Sequence, residues 1–245
     1  MSRYAALCAM VLALVASTAS AVECRNLSYE GNRYTICEVD VSTEDLRLFL
    51  RDDQGAPYGQ FSTIDRTLPD GQALSFAMNA GMYHSDRRPV GLYVEDGVAE
   101  GRLLTGASKG NFGLLPNGVF CIRETRADVI ESLTFEETAP DCTHATQSGP
   151  MLVIDGALHP RFLPDSTSRH LRNGVGTSAN GTRAIFAISN NAVTFHEFGS
   201  LFRDHLSTPN ALYFDGKISR LHAPQLDRSD PGFWMGPIVG VVTVD

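Results

Sequence analysis

The sequence predicts an α+β fold: a strand-rich single domain with a mixed or antiparallel sheet and a few flanking helices. Three observations carry this expectation. Apolar runs of strand length recur along the chain, Gly, Pro and Asn turn signals separate them, and only two segments show a helical period.

In chain order, the first element is not part of the fold. Arg3 precedes an apolar run from Tyr4 to Ala16, and Ala19-Ser20-Ala21 closes the segment. This is the order of a secretory signal peptide cut after Ala21, which places the mature chain in the periplasm or outside the cell. The run falls short of the about 20 residues that span a bilayer, so no membrane span is expected. The residues before Cys24 lack the small side chains of a lipid-acceptor site. No linker, repeat or charge block divides residues 22–245, which read as one domain.

Within that domain, strands are expected at Leu46–Leu50, Leu74–Ala80, Val90–Val94, Met151–Ile154, Ala184–Ser189 and Ala211–Phe214. Glu95-Asp96-Gly97, Asn117-Gly118 and Asp155-Gly156 read as turns between strands. The clearest helix runs from about Glu197 to His205, where Phe198, Leu201, Phe202 and His205 share a face. Thr194 and Glu197 have the spacing of a capping box ahead of it. Gln60–Leu68 is a weaker second helix.

Loss of the first 21 residues leaves 19 basic against 28 acidic residues, a net charge of −9. With no basic stripe, nucleic-acid binding is set aside. Four cysteines remain: Cys24, Cys37, Cys121 and Cys142. In an exported chain they suggest two disulfides, for which three connectivities exist. Cys24–Cys37 and Cys121–Cys142 are favoured, because each pair brackets a strand–turn–strand segment. Neither a CxxC pair nor an Asp-rich loop is present, so no metal or other cofactor is expected.

Four glycine-bearing segments attract the chemistry: Met78-Asn79-Ala80-Gly81-Met82-Tyr83, Gln147-Ser148-Gly149-Pro150, Arg172-Asn173-Gly174-Val175-Gly176 and Tyr213-Phe214-Asp215-Gly216-Lys217. Three of them set a polar side chain beside a Gly at the edge of an apolar strand, where loops form sites. Asn79-Ala80-Gly81-Met82-Tyr83, Pro89-Val90-Gly91-Leu92, Asn111-Phe112-Gly113 with Pro116-Asn117-Gly118-Val119-Phe120, Ala145 to Pro150, Arg172 to Gly176, and Ala211 to Gly216 follow one another in order. On these six motifs the chain resembles the phosphodiester glycosidase family, over about residues 60–225. Where many family members continue the last motif with Gly and Ser, this chain has Lys217-Ile218-Ser219.

The resemblance implies hydrolysis between an anomeric carbon and a phosphodiester oxygen. The partner would be a small molecule or glycan carrying a sugar phosphodiester. Such a site needs a cation for phosphate, a carboxylate for the oxocarbenium-like centre and donors for the sugar. Arg172 is the candidate phosphate clamp and Asp215 the candidate carboxylate, the two catalytic residues. Asn79, Gly81, Gln147, Ser148, Gly149, Asn173, Gly216, Lys217 and His84 make up the candidate substrate-binding set. Asn79 and Gln147 equally fit the reading of buried amides that satisfy strand-end backbone groups. His159, His196 and His222, with Glu197 and Asp155, are second-rank acids or bases. Tyr83, Phe112, Tyr213 and Trp234 are aromatics for stacking on a sugar or for packing in the core. Two other readings stay open: a non-catalytic module that binds phosphorylated glycans, and a phosphodiesterase acting on a bond with no anomeric carbon.

Overall fold

The structure, a computed structural model, describes residues 22–244. The expected signal peptide lies outside the described residues. The strands form three sheets, and every strand pair is antiparallel. The largest holds seven strands in the order Glu23–Tyr29, Asn32–Asp40, Arg183–Ser189, Asn173–Thr177, Asn210–Asp215, Met151–Ile154 and Ala157–Leu158. The second orders its five as Arg228–Ser229, Leu221–Ala223, Gln72–Asn79, Ile238–Val244 and Asp45–Phe49. The third runs Val98–Glu100, Tyr93–Glu95, His144–Ser148, Gly118–Arg123 and Arg126–Glu131.

The sheets enclose one shared core, and Phe186 of the seven-stranded sheet marks its centre. Its ring lies 4.8 Å from that of Phe76 in the second sheet and 5.7 Å from that of Phe120 in the third. No sheet can therefore bury its inner face without the other two. The cluster around these rings also takes in Val39, Leu48, Met78, Val129, Leu212 and Val241, all fully or almost fully buried. Each outer face is covered as well. Helix Phe61–Thr67 packs Phe61 and Ile64 on the second sheet, beside Leu74 and Ile238. Helix Ser132–Thr138 sets Phe135 against Val119 and Ala145 of the third. Helix Phe195–Ser200, continued by a π-turn over Leu201–His205, lays Phe198, Leu201 and Phe202 on Ile36, Val153 and Ala187 of the largest sheet. Burial on both faces explains why Arg183–Ser189 reads as an unbroken apolar run rather than an alternation.

The expected α+β class is thus corrected towards mostly β. The helices are one or two turns long, and antiparallel hairpins need no helical crossovers. Five of the six expected strands lie within two residues of their observed bounds. The sixth differs: pairing starts only at Tyr93, because Val90 and Gly91 lie in a loop. Asp96 (φ 50°) with Gly97 (φ 75°), and Asp155 (φ 47°) with Gly156 (φ 80°), form the left-handed pairs that two-residue hairpins require. Asn117-Gly118 is not a turn. Asn117 is buried, its side-chain amide donates to the carbonyls of Leu104 and Phe112, and Gly118 opens a strand. Thr194 and Glu197 do close a capping box.

Both favoured disulfides are present. Cys24 and Cys37 face each other in the register of the first hairpin, and Cys121 of the third sheet is tied to Cys142 beyond helix Ser132–Thr138. Among the described residues no helix is long and apolar enough to cross a membrane.

Candidate functional site

Three strand ends, one from each sheet, converge at one corner, joined by buried side chains. Asn79, at the end of Gln72–Asn79, and Asn173, at the start of Asn173–Thr177, exchange side-chain hydrogen bonds of 3.1–3.2 Å. The Asn173 amide also donates to the Asn79 carbonyl at 2.9 Å. Asn79 Oδ1 accepts from the Arg220 amide, and Asn173 Oδ1 accepts from the Asp215 amide. From the third sheet, Thr146 donates to the Ala80 carbonyl and Ser148 donates to the Phe214 carbonyl. Apart from the half-buried Asp215, these groups are buried, where an unmade hydrogen bond costs about 1–3 kcal/mol. The corner is therefore a fixed floor.

Asp215 rises from that floor at the end of Asn210–Asp215. Its Oδ1 accepts from the Gly216 and Lys217 amides at 2.6 and 2.9 Å, the local bonding by which an Asp side chain shapes its own turn. Burial nevertheless pushes its carboxyl above the ordinary aspartate range, against the pull of these amides and of Lys217. It opens into a cleft of about 570 Å³, lined also by Tyr83, Lys109, Asn111, His170, Tyr213 and Lys217. The Tyr213 phenol is held protonated by burial, although the Arg172 charge opposes this. Gly216 is required beside it: a Cβ there would collide with the Tyr213 hydroxyl.

The chain contains two lysines, Lys109 and Lys217. Both line this cleft. Neither takes part in an ion pair among the described residues, although the cleft lining they share includes the acidic Asp215. In a protein of net negative charge, the cleft thus carries two cations that no acidic side chain neutralises in an ion pair among the described residues.

The expected site residues divide into two groups. Asp215, Gly216 and Lys217 line the cleft. Asn79 and Asn173 lie beneath it, with their amides spent on each other and on the backbone. Gln147 is equally committed: its Oε1 accepts from the Leu92 and Leu104 amides, and its Nε2 donates to the Leu104 carbonyl and to Ser132. It anchors the start of the loop that carries Lys109 and Asn111. Ser148 is buried in its bond to Phe214. Gly81 (φ 144°) turns the chain from Asn79 towards Tyr83 in a conformation that favours glycine. Gly149 lets Asn117 and the Phe112 carbonyl approach closely. His84 is exposed on a turn closed by Arg88 and is not among the cleft-lining residues.

Arg172 lies behind the cleft rather than in it. Its side chain is 1% exposed and stacks 3.6 Å from the centre of the Phe195 ring. Nε donates to the Val193 carbonyl and Nη2 to the Ser168 carbonyl, while Nη1 has no partner. Its centre lies 5.5 Å from the Tyr213 ring, so it reaches the cleft through that residue. Sequence reasoning passed over Lys109 and His170. Their signal was available in part: a residue type used twice in the chain, once beside Asp215, deserved weight at its other position.

A family model described as phosphodiester glycosidase matches residues 72–223. Uncharacterized protein YigE of Escherichia coli (strain K12) is 31% identical over 184 residues, which is 75% of this chain and 72% of YigE. Among solved structures, a hypothetical protein from Synechocystis superposes with a TM-score of 0.58 at 13% identity, over 91% of this chain. The chain spans 62% of that protein, less than two thirds of its length. The catalytic domain of zebrafish N-acetylglucosamine-1-phosphodiester alpha-N-acetylglucosaminidase, auto-inhibited by its pro-peptide, gives a TM-score of 0.58 at 11% identity, covering 92% of this chain and 85% of that domain. These two likenesses concern the fold.

Proposed function

Since the chain belongs to the phosphodiester glycosidase family, we propose that it hydrolyses the bond between an anomeric carbon and the phosphate oxygen of a glycosyl phosphodiester. The observation that carries this reading is the convergence of Asp215 with both lysines of the chain on one cleft. Lys109 and Lys217 supply the field for the phosphodiester anion. Asp215, fixed by the turn amides, faces the positive charge that develops at the anomeric carbon as the bond breaks. The phosphate departs as a monoester, a good leaving group, so a strong acid at the leaving oxygen is not required. The protonated Tyr213 phenol is a donor for that oxygen or for a sugar hydroxyl. Arg172 acts at second hand, by holding Tyr213 from behind. A water molecule completes the hydrolysis, releasing free sugar and phosphomonoester in equal amounts.

The two disulfides fit an oxidising compartment, which supports a periplasmic or secreted enzyme made of residues 22–245 after removal of residues 1–21. The test is to incubate that mature chain with a panel of glycosyl-1-phosphodiesters and follow both products. Equal release of sugar and phosphomonoester, lost in Asp215→Asn, is the expected result. Cleavage of an aryl phosphodiester with no glycosidic bond, and none of the panel, would overturn it.

A further inference from the structure

Beside the cleft, the loop between Ser229 and Pro237 carries two aromatic side chains outward. Phe233 is 78% exposed and Trp234 is 51% exposed. Exposed rings on a surface loop are ordinarily mobile, but this loop is fixed from below. Arg220, itself buried, donates from Nε and Nη2 to the Asp230 carbonyl and from Nη1 to the Phe233 carbonyl, at 2.7–2.9 Å. Gln60 Nε2 donates to the Gly232 carbonyl, and the Met235 amide donates to the Gly59 carbonyl. The Trp234 ring rests directly on Gly59, where even a Cβ would lie 2.6 Å from a ring carbon. One part of the ring is seated on backbone and the rest faces solvent.

The loop is also joined to the cleft. Tyr83, which lines the cleft with Asp215, donates its hydroxyl to the Trp234 carbonyl at 3.1 Å. Gly236 packs against the Tyr83 ring so closely that a side chain there would displace it. Tyr83 therefore forms the step between the carboxylate and the aromatic pair.

We propose that Phe233 and Trp234 form a sugar-stacking subsite, which holds an oligosaccharide portion of the substrate beyond the residue at the cleft. The inference rests on the reading of the cleft as a glycosyl phosphodiester site. Pyranose rings present flat C–H faces that match an immobilised aromatic ring, and a rigid ring loses little conformational freedom on binding. Two side chains are too small a patch for a stable protein partner, which needs about 800 Å² on each side. Continuity with the cleft through Tyr83 selects the substrate's own glycan as the occupant. The subsite would make the enzyme prefer long phosphodiester-linked glycans over single sugars.

Trp234 is the one tryptophan of the chain, so its emission reports this subsite alone. The experiment titrates the mature wild-type and Asp215→Asn proteins with chitohexaose, cellohexaose and maltohexaose, none of which carries phosphate. The expected result is a saturable change in emission with one of the three. The matching monosaccharide binds at least about tenfold more weakly, and Phe233→Ala weakens the hexaose by about tenfold. Because Phe233 is mostly exposed, that variant removes little buried surface. Emission unmoved by all three hexaoses, or an unchanged affinity in Phe233→Ala, overturns the subsite. So does a response confined to phosphatidylglycerol vesicles, which would assign the patch to a membrane. The titration needs no turnover: an absent response leaves phosphodiester cleavage standing, and a response without cleavage leaves the subsite standing.

Discussion

Two cavities of similar size, about 570 and 520 Å³, each hold a carboxyl pushed up by burial, yet they are built differently. In the second cavity Glu95, raised to about 7, accepts from the Tyr93 hydroxyl at 2.6 Å. The arginines there are already matched: Arg51 by Glu100 at 3.5 Å and Arg47 by Asp45. In the first, Asp215 shares the cleft lining with Lys109 and Lys217, which form no ion pair among the described residues. A raised carboxyl is thus common to both cavities. What separates the two is whether the cations nearby are paired within the protein or form no ion pair.

The sharpest way to break this comparison is to remove each carboxyl. Asp215→Asn is expected to cut the turnover of a glycosyl phosphodiester about a thousandfold, whereas Glu95→Gln leaves it within about threefold. The reverse order, read from initial rates, would move the chemistry to the second cavity. Next in size is Arg172→Ala, which empties the stack on Phe195 and leaves the buried Val193 carbonyl and the Ser168 carbonyl without their donor. Urea unfolding should show a loss of about 3 kcal/mol. A variant with full stability and no activity would instead give Arg172 a direct role on substrate.

The lysines test the distinction between spent and available charge. Lys109→Ala and Lys217→Ala should each raise KM by about tenfold, with steeper losses at low salt than at high. An equal effect from Arg51→Ala would erase the contrast. The smallest expected effect is on stability against pH. A carboxyl whose folded pKa is raised binds its proton more tightly folded than unfolded, so stability falls as pH rises through the raised value. Asp215→Asn should therefore gain stability over wild type at neutral pH, and the gain should vanish at acid pH. Glu95→Gln should behave alike, with its gain appearing as pH climbs from the ordinary glutamate range to about 7. Thermal melts across that range check both signs.

Local geometry was legible in the sequence; the direction of long-range contacts was not. Asp155-Gly156 and Glu95-Asp96-Gly97 fix their own backbone, so their hairpins could be read from two or three residues. The capping box and both disulfides follow from spacing in the same way. Asn117-Gly118 carries the same signal, but the amide was claimed by two distant carbonyls and the glycine by a strand. Asn79, Gln147 and Ser148 stand in segments that the motifs singled out, yet their polar atoms turn inward, to partners between 15 and 94 residues away. Nothing local sets that direction. Arg172 shows the limit from the other side, since a charged residue is seldom read as buried until an aromatic face such as Phe195 is placed against it. The three-walled arrangement around Phe186 is likewise invisible before the sheets are assembled.

The two lysines give the cleft a chemical address. Apart from the N-terminus, they are the chain's only primary amines. An amine-acylating reagent thus attacks the mouth of the cleft almost exclusively, and bound phosphate should shield it. Coupling to a surface through amines would attach the protein by the lining of this cleft. Immobilisation through an engineered cysteine or a terminal tag would leave the cleft open.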